Sequence, residues 1–148
     1  HLSRAFFARD RQVLSFVFLF DKFWDELCRF SRRCNSHMAG KYADIVLSRP
    51  ASKKLQEIRR AGKYKNVNLG NSETIEVRTF RGTLKIETLL ASVELVDFLA
   101  RCAKRYTAKE LEALTWPALV KKISPKRYRY LPAYLGDIGL LIPQTKSE

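Results

Sequence analysis

Glu76, Arg78 and Arg81 lie within the stretch "NSETIEVRTFRGTL", residues 71–84, and their types and spacing can do chemistry. Alternating apolar residues predict a strand here, so Glu76 and Arg78 share one of its faces. Residues two apart on a strand are separated by roughly 6.6 Å, which is too far for an ion pair to follow from the spacing alone. This distance suits two side chains that bind different parts of one ligand. A carboxylate is a preferred oxygen ligand of Mg²⁺, and a guanidinium matches phosphate oxygens. On this pattern alone a solvated strand face is the favoured interpretation, and a metal and phosphate site is the alternative.

An antiparallel hairpin is the element expected to position these side chains. Alternating residues predict strands at 64–69 and 74–80, and Gly70-Asn71 supplies the turn between them. Helical spacing predicts a helix over 86–105, and we expect it to pack on the sheet. The apolar side assigned to this contact consists of Ile86, Leu89, Leu90, Val93, Val96, Ala100 and Ala103.

The remaining elements are predicted to be helical. Apolar residues at helical spacing predict one long helix over 9–33. A loop over 35–50 then leads into a short basic helix over 52–61. Thr107 with Glu110 is the pattern of a capping box, so a helix begins there, and Pro117 indicates a break and a restart. A last short helix is expected over 131–139.

Composition limits the classes of protein that the chain can belong to. Its 148 residues, 46% of them hydrophobic, suffice for one core, so we expect a single domain of the α+β class. The longest apolar run, residues 13–20, is far shorter than the roughly 20 residues that a membrane-spanning helix needs. Three sparse cysteines do not form a disulfide framework, which favours a reducing compartment such as the cytoplasm.

The net charge of +13 raises nucleic acid as a partner. The charge is concentrated in the flanks of the chain, because residues 66–120 hold seven basic and seven acidic side chains. A basic cluster with two interleaved aromatic rings near the C-terminal end can contact phosphates and stack on bases, or can be a solvated surface whose tyrosines pack inward. This cluster consists of Lys121, Lys122, Lys126, Arg127, Tyr128, Arg129 and Tyr130.

Three stretches of the chain resemble the amidoligase family, which is common in bacteria and phages. The run "KYKNVNLGNSETIEVRTFRGTL", residues 63–84, resembles the family's "VNL…NS.T(V/I)E(F/V)R.FRGTL" signature, and the predicted helix "ETLLASVELVDFLARCA" follows it. "HLSRAFF" at the start is similar to the end of the family's "HxHVSR.aF" motif. "DKFWDELCRFSRR" is similar to the next family helix, which usually ends in "faRR".

The resemblance implies a glutamine-synthetase-like fold, in which a small antiparallel sheet carries the site and long helices cover its back. It also implies an ATP-dependent carboxylate-amine ligase, which uses ATP and Mg²⁺ to join an amine to a carboxylate of an amino acid, peptide or other substrate. The residue roles that it implies are metal binding for Glu76, phosphoryl binding for Arg78, phosphate or substrate carboxylate binding for Arg81, polar support for Asn68 and Asn71, metal or nucleotide binding for His1, and phosphate binding for Arg4.

In the family, a first histidine and strands with further acidic metal ligands precede the part that resembles this chain. The resemblance therefore implies that residues 1–148 are an N-terminally truncated domain with little activity alone, in which 107–148 are a helical C-terminal extension. Relatives of this fold often assemble, so a homo-oligomer is also expected. The alternative function is a basic, non-catalytic nucleic-acid-binding protein of phage origin that uses the flanking Lys and Arg clusters.

Overall fold

The start of the chain and a hairpin over residues 67–77 form a three-stranded antiparallel sheet. A computed structural model describes residues 1–33, 47, 51–60 and 66–141. Strands β1 (Leu2–Ser3), β2 (Val67–Asn68) and β3 (Thr74–Val77) are arranged in the order β1-β3-β2, so β3 is central. The predicted hairpin is confirmed as the β2–β3 pair, although both strands are shorter than expected and residues 64 and 65 lie outside the described ranges. The pairing of β1 with β3 was not predicted.

The prediction of one long helix over 9–33 is wrong, because the helix breaks at Phe23. A short 3₁₀ turn (Arg4–Phe6) leads into α1 (Asp10–Lys22), and α2 (Trp24–Ser31) follows. Phe23 leaves helical geometry, with φ −104° and ψ 32°, and its ring packs against Trp116 with centroids 5.5 Å apart. Lys22 donates to backbone carbonyls of Leu111 and Glu112. Tertiary contacts therefore set the break, since neither proline nor glycine is present there.

Helix α4 (Ile86–Arg105) has the predicted bounds, but its buried side matches the prediction only in part. Of the expected apolar side, Ala100 and Ala103 are buried, whereas Ile86, Leu89 and Val93 are exposed. The buried side is shifted around the helix and contains Leu95, Phe98 and Leu99. The main neighbours of α4 are α1 and α7 (Leu131–Asp137), so the prediction that it packs on the sheet does not describe its main contacts.

The other helices agree with the prediction from sequence. They are α3 (Ala51–Arg60), α5 (Ala108–Ala113) and α6 (Trp116–Val120). Thr107 and Glu110 form the predicted capping box at the start of α5, and Pro117 lies in the first turn of α6. The predicted loop over 35–50 lies outside the described residues, except for the buried Leu47.

One contiguous hydrophobic core joins the helices to the inner face of the sheet. Phe16 and Phe20 of α1, Leu99 of α4 and Ile75 of β3 are all fully buried in it. The described residues therefore form a mixed α+β structure that is mostly helical, with seven α-helices and one small sheet. None of these helices combines the length and the hydropathy that crossing a bilayer requires.

Candidate functional site

The outer face of the sheet brings together several of the side chains that the sequence singled out. Ile75 points into the core, so its neighbour Glu76 and, two residues on, Arg78 lie on the opposite face, where each side chain is 35% exposed. Asn68 of β2 is the register partner of Glu76. Since Leu2 pairs with Ile75, continuing the register by one residue places His1 opposite Glu76 on the other side. We call these four residues, His1, Asn68, Glu76 and Arg78, the polar face.

Two neighbours hold the Glu76 carboxylate in place. The side-chain amide of Asn68 donates to Glu76 Oε2 at 2.9 Å, and Arg78 Nε lies 3.7 Å from Oε1. The amide oxygen of Asn68 accepts the Gly70 N–H at 2.9 Å, so both ends of this amide are used and its orientation is fixed. The spacing along the strand did not predict an ion pair between Glu76 and Arg78. The two side chains nevertheless form a long one, at 3.7 Å. Each carboxylate oxygen still has lone pairs for further ligands.

Asn71 supports the turn that precedes β3. Its side-chain oxygen accepts the backbone N–H groups of Glu73 at 2.7 Å and Thr74 at 3.1 Å. An asparagine that bonds its own backbone two and three residues on is a common way to fix a tight turn. The structure thus gives Asn71 a positioning role for the strand that carries Glu76, and it does not bring this side chain into the polar face.

Arg33 is a neighbour of the polar face whose position sequence reasoning missed. Its guanidinium donates to the backbone carbonyl of Arg78 at 3.3 Å, and the backbone N–H of Arg78 donates to Asn66 at 2.7 Å. The sequence analysis placed Arg33 only at the end of the predicted helix over 9–33. The two consecutive arginines that end "DKFWDELCRFSRR" were the available signal. A hydrogen bond to a residue 45 positions away cannot, however, be inferred from spacing along one helix.

Arg4 is held by the start of α1 and is not part of the polar face. Its Nη2 atom donates to the Asp10 carboxylate at 2.8 Å, and its backbone N–H donates to the Glu73 carbonyl at 2.7 Å. The Nη1 atom of Arg4 is buried and has no hydrogen-bond partner among the described residues. This residue therefore ties the 3₁₀ turn to the sheet and to the first helix.

Arg81 lies on a neighbouring groove of about 610 Å³ between the end of α2, the segment 80–88 and α7. Arg32 and Lys85 also line this groove, together with aromatic side chains such as Phe80 and Tyr134. Arg81 is exposed and makes no hydrogen bond or ion pair with the described part of the chain. Arg81 therefore lies in the groove and does not belong to the polar face. Arg32 and Lys85, which were not predicted as site residues, add two further cations to this groove.

Among the described residues, no group of three or more His, Cys, Asp or Glu side chains is placed to hold a metal ion. Glu76 is a single half-exposed carboxylate. Mg²⁺ in proteins is often held by one or two carboxylates, with phosphate oxygens and water as its remaining ligands. Glu76 therefore fits the role of one protein ligand to such an ion.

The basic cluster near the C-terminal end does not expose both of its aromatic rings, as a base-stacking surface would. Tyr128 is buried and its hydroxyl donates to Asp97 at 2.8 Å. Burial and this bond to the carboxylate raise the pKa of Tyr128 to about 12. The alternative in which the tyrosine packs inward is therefore correct for Tyr128, while Tyr130 is half-buried beside Arg129.

Comparison with models of protein families, with curated proteins and with solved structures finds no match to the chain. The resemblance to amidoligases therefore rests on the sequence motifs alone.

Proposed function

We propose that the protein is an ATP-dependent carboxylate-amine ligase, which forms an amide bond through an acyl phosphate. The observation that carries this proposal is the polar face, where an oriented carboxylate and a guanidinium lie side by side on the central strand. The residues concerned, Glu76 and Arg78, are also those that the amidoligase signature marks. A solvated strand face does not require Asn68 to donate to Glu76 while the Gly70 N–H holds the other end of its amide.

The polar face supplies the groups that phosphoryl transfer requires. In this proposal Glu76 would hold Mg²⁺, an ion that would neutralise charge on the ATP phosphates, and Arg78 would hold the phosphoryl group during its transfer. Asn68 keeps the carboxylate turned toward the ligand. His1, opposite Glu76 in the register, is placed to contact the same metal or nucleotide.

Arg81 and the groove supply a place for the substrate. Three residues of extended chain span at most about 11 Å, so Arg81 lies within that distance of Arg78. A guanidinium on the rim of a groove lined by aromatic side chains is suited to bind a carboxylate while the rest of an amino acid or peptide lies in the groove.

The reaction itself has two steps. The γ-phosphoryl group of ATP is transferred to an oxygen of the substrate carboxylate, and ADP leaves. The amine then attacks the carbonyl carbon, the C–O bond to phosphate breaks, and inorganic phosphate and a proton are released. Arg78 stabilises negative charge in the first step, and Arg81 orients the carboxylate for both steps.

Calorimetric titration of Mg·ATP into the protein and its Glu76→Gln variant tests the proposal. We expect Glu76→Gln to weaken Mg²⁺-dependent ATP binding by tenfold or more, equivalent to about 1.4 kcal/mol. Glu73→Gln is the matched control, because it removes the same charge from an exposed residue of the adjoining turn and should bind as the parent does. The rate of ADP release in the presence of pooled amino acids should likewise be similar in the parent and Glu73→Gln proteins and lower in Glu76→Gln. Equal Mg·ATP binding by the parent and Glu76→Gln proteins would disprove the proposed role.

A further inference from the structure

A second surface of the molecule combines exposed cations with aromatic rings that solvent can reach. It is formed by the C-terminal half of α4, the 3₁₀ turn near the chain start and the segment after α6. Its members are Phe6, Arg101, Lys104, Arg105, Tyr106 and Lys122, and we call it the basic aromatic surface. None of these residues belongs to the polar face or to the groove.

The two rings of this surface are each accompanied by two cations. Lys104 Nζ lies 4.4 Å from the centre of the Phe6 ring, and the guanidinium carbon of Arg101 lies 5.7 Å from it. Lys122 Nζ lies 5.0 Å from the Tyr106 ring, and the guanidinium carbon of Arg105 lies 5.9 Å from it. Phe6 and Tyr106 are both half-buried, while the four cations are exposed. Exposed side chains therefore reach ring faces that an outside group can also contact.

The cations of this surface run continuously along one side of α4. Arg101, Lys104 and Arg105 are spaced three and four residues apart, so they share a helix face. Asp97, one turn earlier, pairs with Arg101 at 2.8 Å and with Arg127 at 3.7 Å, which connects α4 to the basic cluster. The surface thus consists of two sets of side chains in contact, one around each ring.

Acidic side chains neutralise only a small part of this charge. Residues 97–129 contain nine Lys and Arg residues against three Asp and Glu residues, of which Asp97 pairs with Arg101 and Arg127. A second acid, Glu110, accepts hydrogen bonds from the Thr107 backbone and hydroxyl in the capping box. Most of the cations are therefore available to a polyanion, which would release its bound counterions on contact.

We propose that the basic aromatic surface binds single-stranded nucleic acid. Unpaired bases have exposed faces that stack on aromatic rings, whereas the bases of a duplex are stacked on one another. A base can stack on Phe6 or Tyr106 while the neighbouring Lys or Arg moves to an adjacent phosphate. This combination of ring faces and cations distinguishes the surface from a merely basic patch, and from the cluster around the buried Tyr128.

The test uses fluorescence anisotropy with the full chain and labelled oligo(U) and oligo(dT) of about 16 nucleotides, the upper end of the range for small single-strand-binding folds. Phe6→Leu and Tyr106→Leu keep an apolar side chain and remove the ring. Each should weaken binding about fivefold or more, since stacking contributes that much per base. Thermal unfolding checks that the variants fold.

A charge variant tests the same surface without altering its rings. The double variant Lys104→Gln with Lys122→Gln should reduce the slope of log affinity against log salt by about 1.4, because each phosphate contact on a single strand contributes about 0.7. Lys53→Gln with Arg59→Gln is the matched control, since it removes two exposed cations from α3, which packs on α1. This control variant should show nearly the same slope of log affinity against log salt as the parent protein.

Three results would overturn the proposal. Equal losses in the charge variant and its control would show that overall charge alone attracts the strand. Equal affinity for a duplex of the same length would exclude base stacking. Unchanged binding in correctly folded Phe6→Leu and Tyr106→Leu proteins would also exclude it, and the charge variants decide the matter if either ring variant does not fold.

Discussion

Glu76 shows at the scale of a single residue what sequence alternation can and cannot establish. The alternation of the strand correctly placed Glu76 and Arg78 on one side, because side-chain direction in a strand depends only on position along it. The contact with Asn68 depends on the register between β2 and β3, which the turn sets. The partners of Arg4 and Asn71 were not predicted either, because their bonds go to Asp10 and to the local backbone.

Asp97 is a residue whose charge links three elements of the structure. It accepts hydrogen bonds from Arg101 and Tyr128 and lies near Arg127. Partial burial alone raises the pKa of this carboxyl, but the bonds from Arg101 and Tyr128 and the charges of Arg101 and Arg127 outweigh it, so the pKa is lowered below its ordinary 3.8. A carboxylate whose pKa is lowered on folding stabilises the folded state at pH values above its ordinary pKa. This contribution is lost as the pH falls through the pKa of the folded state.

We therefore expect Asp97→Asn to reduce the free energy of unfolding by about 1 kcal/mol at pH 7, because the bonds to Tyr128 and Arg101 lose their charge assistance. The difference between the two proteins should shrink as the pH falls below 3.8. Urea unfolding across this pH range measures it, and Glu112→Gln serves as an exposed control with little effect. A difference that stays constant into acid would contradict the role given to Asp97.

At the scale of elements, α7 depends on a cap that comes from another helix. The residue before α7, Tyr130, makes no capping bond with its own side chain. Instead the Glu94 carboxylate of α4 accepts the backbone N–H groups of Arg129 at 3.1 Å, Tyr130 at 2.9 Å and Leu131 at 2.7 Å. These bonds satisfy donors that the first turn of a helix leaves unpaired, and the negative charge suits the positive end of the helix.

Replacing Glu94 by Gln should destabilise the protein by about 2 kcal/mol, because charge-assisted bonds to three backbone donors are weakened. Hydrogen exchange at the amides of Tyr130 and Leu131 should accelerate as well. Glu87→Gln on the same helix removes an exposed carboxylate and should change stability by less than about 0.5 kcal/mol. Equal effects of the two substitutions, with unchanged exchange at α7, would show that Glu94 does not cap this helix.

The helices also show which features of an element are local. The capping box at Thr107 was predicted because its two partners are three residues apart. Glu94 caps α7 from 37 residues away, so no short pattern could reveal it. The break at Phe23 has the same origin, because the ring packs on Trp116 of α6 while the periodicity of apolar residues continues unbroken.

The buried face of α4 was misjudged for a different reason. Two apolar stripes run along this helix, and the pattern of residues does not say which one faces the core. The stripe with Leu95, Phe98 and Leu99 is buried against α1 and α7, which leaves Ile86, Leu89 and Val93 exposed. The arrangement of neighbouring helices decides the matter, and that arrangement is a property of the whole fold.

At the scale of the whole molecule, the chain start and the hairpin form one sheet. Leu2 pairs with Ile75 across 73 residues, which brings His1 to the strand that carries Glu76. Residues 1–7 and the described part of the second motif that resembles amidoligases, residues 66–84, are thus joined in space, although they are distant in sequence. The basic aromatic surface uses different residues, so the two proposed activities can be tested separately.

Paramagnetic broadening can show whether Glu76 on β3 holds the metal of a bound nucleotide. Mn²⁺ accepts the oxygen ligands that bind Mg²⁺, so a small amount of Mn·ATP added to the Mg·ATP-saturated protein broadens amide signals close to the metal. We predict the strongest broadening in β2 and β3, at residues 67–68 and 74–78, and its loss in Glu76→Gln. Broadening that is strongest at the basic aromatic surface, or that is the same in Glu76→Gln, would contradict the claim.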